Sequence, residues 1–121
     1  MIEQLSGFPG NVVACVCKGR VTKADYDTVL VPAVAEALRT QDKIRLYYET
    51  AGDFTGIDAA AAWEDFKVGM EHLTHWERVA VVSDVEWIRQ AVRLFGFLIP
   101  GPTKLFARSD AARARDWIRA N

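Results

Sequence analysis

The chain has 121 residues, 50% hydrophobic and 26% charged, with a formal net charge of −1 at pH 7. That length fits one domain able to bury a core without disulfides or a structural metal. The charge balance lacks the basic excess that binding a phosphate backbone demands, so nucleic acid is not expected as a partner. Arg108, Arg113, Arg115 and Arg119 crowd the C-terminal end, but Asp110 and Asp116 are interleaved with them. Such interleaving reads as a solvated helix face, with an anion site as the sharper alternative.

Ile2 to Leu5 alternates weakly before a turn signal, Gly7-Phe8-Pro9-Gly10-Asn11, and Val12 to Cys17 is then a continuous apolar run. The two segments predict a hairpin whose second strand is buried on both faces. Thr22 followed by Asp25 is a variant capping box, and Tyr26, Val29, Leu30, Ala33, Val34, Ala37 and Leu38 recur at helical spacing. A helix to about Thr40 follows, and Pro32 should kink it at the preceding turn. Ile44 to Glu49 is the next strand, and a loop over residues 50–57 leads to Asp58. Asp58 can cap a second helix striped by Trp63, Phe66, Met70 and Leu73. Val79 to Val82 is a short buried strand, a third helix runs from Val85 to about Leu98, and Pro100-Gly101-Pro102 stops it. Thr103 to Ala107 is the last strand, and Ser109 or Asp110 caps a final helix carrying Ala111, Ala114, Trp117 and Ile118.

The order β-β-α-β-α-β-α-β-α predicts an α/β domain over residues 1–121 with a mostly parallel sheet and one antiparallel N-terminal strand. Cys15 and Cys17 would point to the same side of a strand about 7 Å apart, which does not suit a disulfide. Buried thiols in a reducing cytoplasm are the expectation. The N-terminus lacks a basic segment followed by an apolar one, and no apolar run approaches the ~20 residues of a membrane span. The expected location is therefore cytoplasmic, with peripheral contact at the inner face of the membrane kept open.

Searching for chemistry yields little. The glycines form neither a dinucleotide-binding fingerprint nor a phosphate-cradling loop. His72 and His75 fall at the end of the second helix, where its dipole favours a cation, and no third ligand accompanies them. Glu64 and Asp65 are adjacent and do not converge, while Asp53 and Asp58 read as turn and cap residues. No catalytic residue, metal or cofactor is expected. The third helix is more informative. Its polar face is Glu86, Arg89, Gln90 and Arg93, and Ile88, Ala91, Val92, Phe95 and Ile99 suffice to dock it. Trp87, Leu94 and Phe97 then lie beyond the core-facing stripe, either covered by Trp63 and Phe66 or forming an interface.

Several segments together resemble the SpoIIAA-like family, related to STAS domains. They are Gly19-x-Val21-Thr22-x-x-Asp25-Tyr26 with Pro32, Asp53-Phe54-x-Gly56 and Trp63-Glu64-Asp65. His72, Glu77-Arg78-x-Ala80-Val81-Val82-x-Asp84-x-x-Trp87, Phe106 and Trp117 continue the match. The resemblance implies a β/α superhelix similar to anti-sigma-factor antagonists and to the CRAL-TRIO lipid-carrier fold. Phosphorylatable STAS proteins carry Asp-Ser-Ser/Thr-Gly where the second helix begins. This chain has Asp58-Ala59-Ala60-Ala61 there, without a hydroxyl to accept phosphate.

The resulting expectation is a non-catalytic module that binds an apolar, lipid-like ligand or the membrane surface through its second and third helices. Its candidate contacts are Phe54, Trp63, Phe66, Trp87, Leu94, Phe97 and Leu98. The alternative is a STAS-like regulatory module acting as a homodimer.

Overall fold

The computed structural model describes residues 1–63, 67, 73–96 and 101–120. Its main sheet has five strands, β1 (Ile2–Gln4), β2 (Val12–Cys17), β4 (Ile44–Thr50), β6 (Trp76–Val82) and β7 (Thr103–Phe106), in the order β1-β2-β4-β6-β7. β1 is antiparallel to β2 and every other neighbouring pair is parallel, as the element order predicts. A second, two-stranded parallel sheet pairs β3 (Arg20–Val21) with β5 (Gly56–Ile57). Elements of two residues carry no periodicity, and this sheet is invisible in the sequence.

From β2 onward each strand is added on the same side of its predecessor. Right-handed crossovers then put every intervening helix on one face. That face carries α1 (Lys23–Asp25), a π-helical turn (Tyr26–Leu30), α2 (Val31–Thr40), α3 (residues 59–63 of the described chain) and α4 (Glu86–Phe95). Val34 of α2 and Ala61 of α3 pack with Val13, Cys15, Cys17 and Tyr48, and Ile88 of α4 packs with Val79 and Val81. The opposite face holds α5 (Ala111–Arg119), whose Ala114 and Ile118 meet Val12, Ala14, Tyr47, Ala80 and Val82. The strict alternation of β6 between these two cores explains why Val79 to Val82 is apolar without a break.

Thr22 and Asp25 form the predicted capping box: Asp25 N–H donates to Thr22 Oγ1 at 3.4 Å and Thr22 N–H to Asp25 Oδ2 at 2.8 Å. The irregularity expected from Pro32 takes the form of the π turn just before it. Pro32 has no N–H for the Thr28 carbonyl, and the widened turn accommodates the lost bond. At the other end of the chain the cap expectation is corrected. A 3₁₀ turn (Arg108–Asp110) precedes α5, and Asp110 stands at its N-cap without a side-chain bond to the helix. The third helix is α-helical to Phe95 with Gly96 as C-cap, and the expected end near Leu98 lies outside the described residues. Both cysteines are buried and form no disulfide.

β6 begins three residues earlier than its apolar run, because Glu77 and Arg78 serve α5. The register steps from Ile44↔Trp76 to Arg45↔Arg78, leaving Glu77 as the extra residue of a bulge. Gly101 lies so close to this bulge that an added Cβ would collide with the Glu77 carbonyl. Buried Arg45 donates to Glu77 Oε1 at 2.5 Å, to the Ile118 carbonyl at 2.9 Å and to the Ala120 carbonyl. Arg78 donates to the Trp117 and Ala120 carbonyls at 2.9 and 2.8 Å. Two guanidinium groups thus bind carbonyls at the negative end of the α5 dipole, where the Trp117 carbonyl also accepts from Ala120 N–H.

Two measurements check this face. Arg45→Met should lower unfolding free energy by about 1–3 kcal/mol, the cost of leaving buried carbonyls unpaired, read as a lower urea midpoint. An unchanged midpoint would show that Arg78 alone holds the helix. Buried Tyr47 donates to Glu49 Oε1 at 2.5 Å, and burial followed by that bond pushes its pKa up from 10.0 to about 12. The phenol is neutral when protonated. Its raised folded pKa therefore stabilises the domain fully below pH about 10, and that contribution fades as pH rises through about 12. A tyrosinate absorbance titration should show a late step that Tyr47→Phe removes.

Candidate functional site

The strand ends that α/β domains use for binding lie at the C-terminal edge of the sheet, where β2, β4 and β6 hand over to helices. Thr50 and Ser83, both fully buried, end β4 and follow β6, and Thr50 Oγ1 donates to Ser83 Oγ at 2.8 Å. The same Ser83 oxygen accepts from Val85 N–H at 3.1 Å, which sets the start of α4. Arg89 reaches back to the Ser83 carbonyl at 3.0 Å, and Asp84 accepts from Arg108 N–H at 3.0 Å. These polar groups are spent on one another. They tie α4 and the end of β7 to the sheet.

On the β4 side, Asp53 accepts from Gly19 N–H at 3.4 Å and Asp58 pairs with Arg20. Gly19 needs its freedom here, since its φ of 54° lies in the left-handed region. Asp58 N–H also donates to the Val21 carbonyl at 2.9 Å, so the small β3–β5 sheet positions the start of α3. Asp53 thus binds the residue just before β3, and the Asp58 side chain pairs with Arg20 of β3. Gly52 sits beneath Arg108, whose Nη1 would be 3.1 Å from an added Cβ.

Above this edge stand the apolar candidates. Ala61 is fully buried, and Trp63, two positions on and roughly 200° around the helix, is 61% exposed. On α4, Ile88 faces the core while Trp87 and Leu94 are 52% and 62% exposed. Seven residues is close to two turns, so Trp87 and Leu94 share one side of α4, with Ala91 between them. Glu86, Gln90 and Arg93 border them, Gln90 donating to Glu86 at 3.1 Å and Arg93 lying 3.9 Å from the same carboxylate. Phe54 is placed differently: it is half-buried and wedged against both core clusters of the helical face. Phe66, Phe97 and Leu98 lie outside the described residues, as does His72. His75 falls in a 3₁₀ turn (Leu73–His75), its Nδ1 2.8 Å from the Asp42 carbonyl.

Among the described residues no three His, Cys, Asp or Glu side chains cluster as a metal site, and no helix is long and apolar enough to cross a membrane. A groove of about 630 Å³ opens elsewhere, between the β1–β2 loop and α2, lined by Leu5, Phe8, Pro9, Val13, Val29 and Pro32 among others. None of the sequence-derived contact residues lines it. Its apolar walls come from a turn and one flank of an amphipathic helix, which a linear reading has no means of bringing together.

Comparison with known proteins now has a geometry to match. The pattern of the SpoIIAA-like family fits residues 12–119. A solved structure with a SpoIIAA-like fold, an uncharacterized DUF3478-family protein from Shewanella loihica PV-4, is similar with a TM-score of 0.75 and 27% sequence identity. The match covers 98% of this chain and 92% of that one. No curated protein matches. With nearly its whole length fitting the family pattern and a sheet of the same kind, this chain belongs to the SpoIIAA-like family.

Proposed function

We propose that the domain works by docking, its α3/α4 face settling on a lipid surface through Trp63, Trp87 and Leu94. Members of the SpoIIAA-like family are generally non-enzymatic regulatory proteins, which fits a module that binds rather than converts. One observation carries the reading: three large apolar side chains on consecutive helices of one face are each more than half exposed. Single exposed apolar residues are ordinary, but a group on one face is characteristic of an interaction surface. Trp87 sits in the first turn of α4 and Trp63 at the start of the second turn of α3, and indoles favour the boundary between headgroups and acyl chains. Leu94 extends the apolar strip along α4 beside Arg93, the arrangement of a helix lying in the plane of a membrane.

A second reading is favoured by the border of the strip. Glu86, Gln90 and Arg93 give it a polar rim around an apolar centre, as in protein interfaces, and a second copy of this chain would be the occupant.

The Trp87→Gln/Leu94→Gln double variant separates these readings from burial. Its unfolding free energy should stay within about 0.5 kcal/mol of the parent, since both side chains are solvated. Co-sedimentation with phosphatidylcholine–phosphatidylglycerol vesicles should be strong for the parent and lost in the variant. A parent that ignores vesicles but self-associates in analytical ultracentrifugation, with the variant monomeric, selects the dimer. A loss of about 2–5 kcal/mol would instead show that these residues belong to the core.

A further inference from the structure

The geometry points to a second interaction surface on the opposite face of the sheet, fitted to an extended acidic segment of a partner protein and centred on Trp117. Arg78 Cζ and Lys104 Nζ stand 5.4 and 5.1 Å from the centre of the Trp117 indole. Arg113 lies one turn earlier on α5, on the same flank of the helix. Among the described residues neither Arg78 nor Lys104 has a carboxylate within salt-bridge distance, and Arg113 has only the long pair to Asp110 at 3.9 Å. Two cations therefore stand over one indole, a third lies one helical turn away, and among the described residues only Arg113 of the three has a carboxylate nearby, at 3.9 Å.

The pattern recurs on the other flank of the helix. Arg119 lies over Phe8 at 4.8 Å and Arg115 over Tyr47 at 5.7 Å, its nearest carboxylate, Glu49, being 4.0 Å away. The carboxylates on this face are Glu3, which pairs with Lys18, and Glu49, Glu77, Asp110 and Asp116. Glu77 is taken up by Arg45, and Glu49 accepts from Tyr47. In a chain whose overall charge is −1, positive charge has been displaced to the α5 side. Stacking on rings holds these cations in place before anything binds, which reduces the ordering cost of binding.

The shape of the site selects the class of partner. The cations flank a helix of nine residues, about 13 Å long, on two sides, Arg78, Lys104 and Arg113 on one and Arg115 and Arg119 on the other, rather than converging on one point. An extended chain covers that span with about four residues. No large apolar side chain is exposed on α5, so the surface has nothing to insert into a bilayer. Asp110 and Asp116 on the same helix would oppose a continuous phosphate backbone. An acidic peptide can place its carboxylates between them. This surface is independent of the α3/α4 face.

The test is fluorescence anisotropy of the full chain with fluorescein-labelled decaglutamate, at low and at physiological salt. The parent should bind, more weakly as salt rises. Lys104→Glu/Arg113→Glu should weaken binding about tenfold or more, and Lys104→Gln/Arg113→Gln should have an intermediate effect. Both side chains are exposed, so the melting temperature should not move. Trp87→Gln/Leu94→Gln should bind the peptide like the parent. The proposal is overturned if the parent fails to bind, or if charge reversal leaves affinity unchanged. It is equally overturned if a single-stranded oligonucleotide or phosphatidylglycerol vesicles, matched in charge, displace the peptide more readily than unlabelled decaglutamate does.

Discussion

The placement of each new strand on the same side of the last constrains the rest of the molecule. Once β2, β4, β6 and β7 advance in one direction, handedness alone assigns α2, α3 and α4 to a single face. That face must then pack several helices side by side, and Trp63, Trp87 and Leu94 on it are each more than half exposed. The other face receives only α5, which arrives after the last strand and is free of the crossover rule. One short helix cannot cover five strands. Its neighbours on the sheet therefore include Arg45, Arg78, Lys104 and Glu49 where a fully covered parallel sheet would have aliphatic side chains.

This asymmetry decides where charge is tolerated. Arg45 is buried, and its desolvation is offset by Glu77 and two helix-terminal carbonyls. The bulge at Glu77 brings two consecutive residues within reach of α5, where a regular strand would have turned one of them away. At the opposite end of the strands, Thr50 and Ser83 perform a comparable service for α4 without charge. The helices are anchored at their ends by polar groups of the sheet, while their flanks vary between apolar and basic.

Much of this was legible in the sequence, because hydrophobic period and turn chemistry are local. The hairpin, the β-α alternation, the Thr22–Asp25 capping box and the disturbance before Pro32 all follow from residues within a few positions of one another. Counting around α4 showed more apolar residues than a core needs, but whether Trp87 and Leu94 are covered by the neighbouring helix depended on packing that the sequence left open. What escaped depended on partners distant in sequence. The β3–β5 sheet joins two residues to two others across more than thirty positions. Glu77 and Arg78 interrupt an apolar pattern, and only the location of the α5 terminus shows that they belong to the strand. The role of Trp117 as a seat for Arg78 and Lys104 likewise required three elements to meet. Phe54 is half-buried and packs against two clusters, a setting that only the folded loop creates.

The start of α3 shows how sequence chemistry and fold together limit regulation. A hydroxyl there, once phosphorylated, would add up to two negative charges at a helix N-terminus and change what the neighbouring surface attracts. Ala59, Ala60 and Ala61 cannot accept phosphate, and Ala61 is fully buried in any case. Asp58 at this point is paired with Arg20 of β3. Thr55 is exposed nearby, but its backbone is committed to β3 through the Gly19 carbonyl, ahead of the helix rather than within its first turn. The electrostatic setting of Trp63 at this helix start is therefore built into the fold, and modification of residues 58–61 by phosphate cannot alter it.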